Sequence, residues 1–282
     1  VIELDMKGYL ARLGITDPEP PSAGALHRLH TAHIARVPYD SLDIQLGQPG
    51  GLDPAESAAR IVRDGRTGYC FHLNGAFAAL LAALGYQVTR HRGGAHNPGD
   101  EPGVHGNHLA LTVTGLGDEG WFVDVGLGDG LYAPLPLVEG SYQQGPYRFG
   151  LRHSPVAPGG WRFEHDENGS FTAMDFAPEP VGMSVFAEKH EHLSRSPESP
   201  FLRTLTVQRR DADSINLVRA LTLTRIEASG TSRTVLESPE QWWSALTDVF
   251  GLSSASYRPE QRDELWRKAV DQHEAHLARQ SK

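Results

Sequence analysis

Apolar residues recur at spacings of three and four along the first third of the chain. In GALHRLHTAHIARV (24–37), Leu26, Leu29, His33/Ile34 and Val37 form one stripe of a helix. Pro38 ends it, because the ring disfavours helical backbone in the residue before it. DPAESAARIVRDG (53–65) predicts a second helix, with Asp53 as its cap, Pro54 at its first position and Gly65 as its stop. After RTG, the residues Leu73, Ala76, Phe77, Leu80, Leu81 and Leu84 keep the helical period until Gly85. FHLNGAFAALLAAL is therefore expected to be a third, well-buried helix, with Cys70 just before its first turn.

From Tyr86 the period shortens. YQVTRHR, HLALTV and WFVDV alternate or run apolar in short blocks between Gly, Pro and Asn, which is strand behaviour. Strand-like blocks continue through YRFGLRH, WRFEHD, SFTAMDF and FLRTLTVQRR to about Arg225, with a turn signal at Asn168-Gly169. A sheet or small barrel would hold them. Near the end, Ser238 with Gln241 and Pro239 opens another helix over SPEQWWSALTDVF, and a last helix is expected after Pro259. There are no internal repeats.

Composition narrows the classes. With 39% apolar and 22% charged residues in 282, the chain can bury a core of more than one layer. No stretch approaches the roughly 20 apolar residues of a membrane span, and Glu3, Asp5 and Lys7 occupy the place where a signal sequence would be apolar. A cytoplasmic protein is the expectation. A formal charge of -9 repels nucleic acid and anionic lipid, so neither is an expected partner, and a phosphate-bearing ligand would need local donors.

One cysteine excludes a disulfide within the chain, and the paired cysteine spacings of a structural zinc site are absent. The ordinary fate of a lone cysteine is that of a small buried hydrophobe. The placement of Cys70 argues for more. A helix start offers unpaired N–H groups and the positive end of the dipole, which favour thiolate, and Gly65 and Gly68 let the backbone turn sharply before it.

A thiolate nucleophile needs a base, and the base needs an orienting carboxylate. His108 and Asp124 lie in strand-like blocks joined by GLGDEG. If the hairpin pairs them directly, their Cβ atoms are about 5 Å apart. In that arrangement Leu109, Leu111 and Val113 point one way, while His108, Ala110 and Thr112 point towards the helix that carries Cys70. An aspartate beside a glycine-rich loop is as readily a turn residue. His91, His96, His105 and His108 also crowd a Gly/Pro-rich stretch. They raise a metal-binding alternative, but a solvated loop explains them without any ligand pattern.

RTGYCFHLN (66–74) resembles the signature of the arylamine N-acetyltransferase family, with Arg66, Gly68, Cys70 and Asn74 at matching positions. Thr67 stands where the family has a glycine, and His72 where it has Glu or Gln. VPYDSLDIQLG (37–47) looks like the family's Pro-Phe-Glu-Asn-Leu segment, NHLALTV its histidine strand and WFVDVGLGDG its aspartate strand. SPESPFLRTLTVQRR echoes a later segment.

The resemblance implies an α+β fold with a cysteine-protease-like core: an N-terminal helical bundle (1–85) carrying the nucleophile, a central β-barrel (86–190) carrying His and Asp, and a C-terminal α/β lid (191–282). It implies a catalytic triad of Cys70, His108 and Asp124, supported by Asn74 and by an Arg66–Asp40 pair. It also implies acetyl-CoA or another acyl-CoA as co-substrate, without a metal, and an arylamine, hydrazine or arylhydroxylamine as acceptor. Gly126, Gly128 and Gly130 would lie near CoA, and Tyr39, Leu127 and Phe201 would line the acceptor pocket. A monomer or homodimer is expected. The alternative on the same fold is an amide synthase that takes a polyketide chain from a carrier protein and closes a macrolactam.

Overall fold

The computed structural model describes residues 3–280. Helix α1 (Met6–Arg12) precedes α2 (Ala23–Arg36), which starts where Ser22 Oγ accepts the Ala25 N–H at 3.1 Å. A two-residue strand β1 (Tyr39–Asp40) and the short α3 (Leu42–Gln45) lead to α4 (Pro54–Ala59). Asp53 caps α4 through the N–H of Ala55 at 2.8 Å. Residues Arg60–Asp64 continue as a π-helical turn that stops at Gly65, with φ +60°. Helix α5 (Cys70–Ala83) then runs through the middle of this layer. Leu73, Phe77, Leu80 and Leu81 of α5 are fully buried against Tyr9, Leu26 and Ile61, each contributing about 1.5–3 kcal/mol on burial.

Eight strands follow in the middle of the chain: β2 (Gln87–His96), β3 (His108–Thr114), β4 (Trp121–Val123), β5 (Leu135–Pro136), β6 (Gly140–Gln144), β7 (Tyr147–His153), β8 (Trp161–Glu164) and β9 (Ala173–Pro180). They form one antiparallel sheet in the order β5-β4-β3-β2-β9-β8-β7-β6. Side chains from strands across this sheet, including Ala110, Phe122, Leu135, Phe149, Phe163 and Met174, share one buried cluster. The sheet is therefore a nearly closed barrel around its own core.

Helices α6 (Ala187–Arg195) and α7 (Pro200–Arg203) link the barrel to a second sheet. There, β1 pairs with β10 (Thr206–Arg210), followed by β11 (Ser214–Arg219), β12 (Thr222–Glu227) and β13 (Gly230–Val235). Helices α8 (Pro239–Asp248) and α9 (Pro259–Gln280) cover it, with Trp242, Leu246 and Leu265 fully buried among Val207 and Val218. The fold is α+β, with a helical bundle, a barrel and an α/β lid. Among the described residues no helix is long and apolar enough to cross a membrane.

Four expectations are corrected. Thr112 pairs with Phe122 and Leu111 with Val123, so the β3–β4 register is shifted by two residues and His108 does not lie opposite Asp124. Leu109, Leu111 and Val113, rather than the other face, join the cluster that contains Cys70 and α5, while Ala110 faces the barrel core. Strand β3 is buried on both faces, and apolar alternation cannot say which side a helix covers. Residues 201–203 of FLRTLTVQRR are helical, because Ser199 accepts the Phe201 N–H at 3.1 Å and caps a turn before the strand. His91 and His96 are buried in β2, not set in a solvated loop.

Candidate active site

Cys70 is the first residue of a 14-residue helix, with Tyr69 as its cap in extended backbone. The positive end of the α5 dipole therefore lies at the sulfur. Gly68 sits at φ +115°, where a Cβ would run into the His72 ring, so both backbone and space demand glycine. The approach to Cys70 is tied down by Asp40. Its carboxylate accepts the N–H of Leu42 at 2.7 Å and of Gly68 at 2.9 Å, and the Thr67 hydroxyl. Its own N–H donates to Gly68 O at 2.8 Å.

The expected Arg66–Asp40 pair does not form. Arg66 donates to Asp43 Oδ1 at 2.9 Å, Ser256 O at 3.0 Å and Gln261 Oε1 at 3.1 Å, and lies 4.5 Å above the Tyr257 ring. Thr67, in place of a glycine, brings a hydroxyl to Asp40 and satisfies that carboxylate locally. Asp43 instead takes Arg66 and Arg60. Burial and the neighbouring Asp40 push the Asp43 carboxyl up to about 6 despite both arginines.

His108 begins β3, and Asp124 follows directly after β4. The two-residue register shift sets them diagonally, and Asp124, free of the strand, closes the gap: its Oδ2 lies 2.6 Å from His108 Nε2. Oδ1 accepts Asn74 Nδ2 at 2.8 Å and the Gly126 N–H at 2.9 Å. Asn74, on the first turns of α5, also donates to Leu109 O at 2.6 Å and accepts the Val125 N–H at 2.8 Å. One amide thus joins the helix of the thiol to β3 and to the loop that follows β4. The sulfur of Cys70 is near enough to His108 to favour charge on its ring, and the Cys70 thiol donates to Asn107 O at 3.7 Å. Burial opposes charge on His108, but Asp124 and the sulfur outweigh it and push the imidazole up to about 10. The arrangement favours the imidazolium form of His108.

Cys70 and His108 line a cleft of about 570 Å³. Tyr39, Leu127 and Phe201 also line it, with the Tyr39 and Phe201 rings 6.2 Å apart. Burial, then the neighbouring Cys70, raises the Tyr39 phenol far above its ordinary range, so it stays protonated. Of the three loop glycines, Gly126 lines the cleft, and a Cβ there would come within 2.8 Å of Cys70 Cα. Gly128 and Gly130 instead press against Gln208 and Leu127; their lack of a side chain is explained within the protein.

Sequence reasoning missed Phe171, Leu193 and Gln208 in the cleft wall. Phe171 is carried by the turn that Asn168-Gly169 signalled, and Asp129 holds that turn by accepting the Ser170 N–H at 2.7 Å and hydroxyl at 2.9 Å. The clustered histidines scatter: His91 bonds Thr112 Oγ1 at 2.8 Å, and His105 bonds Glu101 O at 3.0 Å. Among the described residues no group of three His, Cys, Asp or Glu is arranged to hold a metal ion.

Residues 23–257 match a family model described as N-acetyltransferase. The chain belongs to the arylamine N-acetyltransferase family. An arylamine N-acetyltransferase of Mycolicibacterium smegmatis is 30% identical over 263 residues, covering 88% of this chain and 92% of that one. The solved structure of the Mycobacterium marinum arylamine N-acetyltransferase in complex with CoA superposes with a TM-score of 0.82 at 26% identity, over 94% of this chain and 98% of that one. A proansamycin X synthase of Amycolatopsis mediterranei is 32% identical over 145 residues, 49% of this chain and 55% of that one. As a member of the arylamine N-acetyltransferase family, the chain is an acetyltransferase.

Proposed function

We propose that the protein transfers an acetyl or related acyl group from acyl-CoA, through a thioester on Cys70, to an arylamine, hydrazine or arylhydroxylamine. The observation that carries this reading is that Cys70, at its helix start, lines one cleft with His108, whose ring is held by Asp124 at 2.6 Å. The thiolate attacks the thioester carbonyl, and the tetrahedral intermediate expels the CoA thiolate, which takes the proton of the His108 imidazolium. Neutral His108 then accepts the proton of the attacking amine, and Cys70 leaves as thiolate, which restores the ion pair. Asp124 holds the ring orientation in both half-reactions. The Cys70 N–H at the helix start is the nearest donor for the oxyanion.

Ping-pong kinetics follow from this order. Tyr39, Leu127, Phe201 and Phe171 shape the acceptor side, and Gly126 admits the thioester to the sulfur. In this reading the nucleophile belongs to a helical unit (1–85), its base and carboxylate to a barrel unit (86–190) and the covering wall to a lid unit (191–282).

The similarity to a proansamycin X synthase supports a second reading, in which the acyl chain arrives on a carrier protein and the product is a macrolactam. Intact-mass measurement separates the two. After incubation with acetyl-, propionyl- or malonyl-CoA the chain should gain one acyl group, absent in Cys70→Ala, and an added aniline should discharge it. A wild-type chain that gains nothing from any of these thioesters rejects the first reading in favour of the second.

A further inference from the structure

A second imidazole meets Asp124 through its backbone. His30, on α2, is fully buried. Its Nε2 lies 3.0 Å from the carbonyl oxygen of Asp124 and its Nδ1 3.1 Å from that of Tyr132. The ring sits edge-on against Phe77 of α5, with centroids 6.2 Å apart and planes at 79°. One side chain of the helical layer thus spans both ends of the loop 124–132. That loop holds Gly126 against Cys70 and sets Leu127 in the cleft wall.

Both partners are carbonyl oxygens, which only accept. A neutral imidazole has one N–H, so it cannot satisfy both. Burial keeps the ring neutral, holding its pKa down to about 4 against the pull of the two carbonyls and the Asp124 carboxylate, with His27 opposing charge further. The single proton must therefore choose a side. The contact with Asp124 O is wholly buried, whereas that with Tyr132 O is only partly so. An unmatched carbonyl is the more costly where water cannot replace the lost donor.

We propose that His30 is a positioning residue that carries its proton on Nε2 and braces the Asp124 peptide, keeping the Asp124 carboxylate aimed at His108. The three donors to the Asp124 side chain set where its oxygens point, and the brace sets where the backbone that carries them lies. The inference rests on the triad reading above.

The test has two arms. In ¹⁵N-labelled full-length protein, the imidazole nitrogen shifts of His30 report the tautomer without turnover, and Nε2 is expected to bear the proton. In acetyl transfer, His30→Gln places an amide near the Nε2 position and should stay within about threefold of wild type. His30→Asn offers its amide near Nδ1 and should lose roughly tenfold in kcat with KM unchanged. A His30 protonated on Nδ1 alone overturns the proposal, as does His30→Asn working as well as His30→Gln. Should a variant fail to fold, the tautomer arm decides. Should wild type accept no acyl group, the proposed function fails while the tautomer still reports on the brace.

Discussion

Two carboxylate–imidazole pairs spring from one short loop, and their fates differ. Asp124 meets His108 at 2.6 Å, and Asp129, five residues on, meets His165 at 3.4 Å. Both pairs are buried, and His108 of one pair and Ser170, held by Asp129 of the other, line the same cleft. Around the first pair lie the thiol at a helix start and the Asn74 amide, which donates to Asp124, and both carboxylate oxygens of Asp124 are taken by donors. Around His165 the neighbours are the rings of Phe149, Phe163 and Phe171, the last with its centroid 4.6 Å away. Asp129 spends its oxygens on Ser170, which orders the turn carrying Phe171. An Asp and a His in contact are common; a reactive pair also needs a third group to act on and a set of donors that leaves the carboxylate one orientation.

The sharpest way to break this contrast is the same substitution on both sides. Asp124→Asn should lower single-turnover acylation of Cys70 by about a thousandfold or more, whereas Asp129→Asn should lower it less than about tenfold while altering acceptor preference. Comparable losses in rapid-quench acylation would remove the distinction drawn between the pairs. Asn74→Ala takes away what Asp129 lacks. It strands the Val125 N–H and takes one donor each from Leu109 O and Asp124 Oδ1. The expected cost is about 2–4 kcal/mol in denaturant unfolding, together with a loss of roughly 10- to 100-fold in acylation.

Buried histidines without a carboxylate sharpen the comparison through pH. Burial holds His72 down to about 3, so its folded-state pKa lies below the unfolded value near 6.5. Its contribution to stability is present above pH 6.5 and is lost as pH falls towards 3, by about 1.4 kcal/mol per pH unit. His108 has the opposite sign. Its pKa is raised to about 10, so its contribution is full below pH 6.5 and fades as pH climbs towards 10. Melting temperatures across pH should therefore flatten on the acid side in His72→Gln and on the alkaline side in Asp124→Asn; unchanged slopes in both would refute the assignment. The smallest effect is expected at another buried carboxylate, Asp40. Thr67→Val removes the hydroxyl from Asp40 and should cost about 1–2 kcal/mol, with acylation slowed only a few-fold.

Much of the helical layer was legible because its signals are local. The stripe over 24–37, the cap at Asp53, the stop at Gly65 and the buried period of α5 depend on residues within a turn or two of each other. Cys70 could be placed at a helix start for the same reason. The strands were legible as strands, but the two-residue register shift was not, since a shift by two leaves every side chain on its face and the apolar pattern unchanged. The resemblance to a family pointed to Cys70, Asn74, His108 and Asp124, which the fold brings close together. It did not foresee that Thr67 would occupy Asp40 and send Arg66 to Asp43, because a hydroxyl in place of a glycine changes partners through space. Phe171 reaches the cleft from a turn and Gln208 from β10, and no local pattern marks either as part of the site.

By itself the sequence determined the periods: which segments coil, which extend, where they stop, and that one cysteine opens a buried helix. Those outcomes follow from backbone sterics, capping and apolar spacing, which act over a few residues. Tertiary structure decided the rest: which face of β3 meets α5, which carboxylate holds Arg66, and that His30, Asn74, His108 and Asp124 converge. These depend on how elements far apart in the chain dock. A buried polar atom takes whichever partner lies within about 3 Å, and only the docked layers determine which one that is.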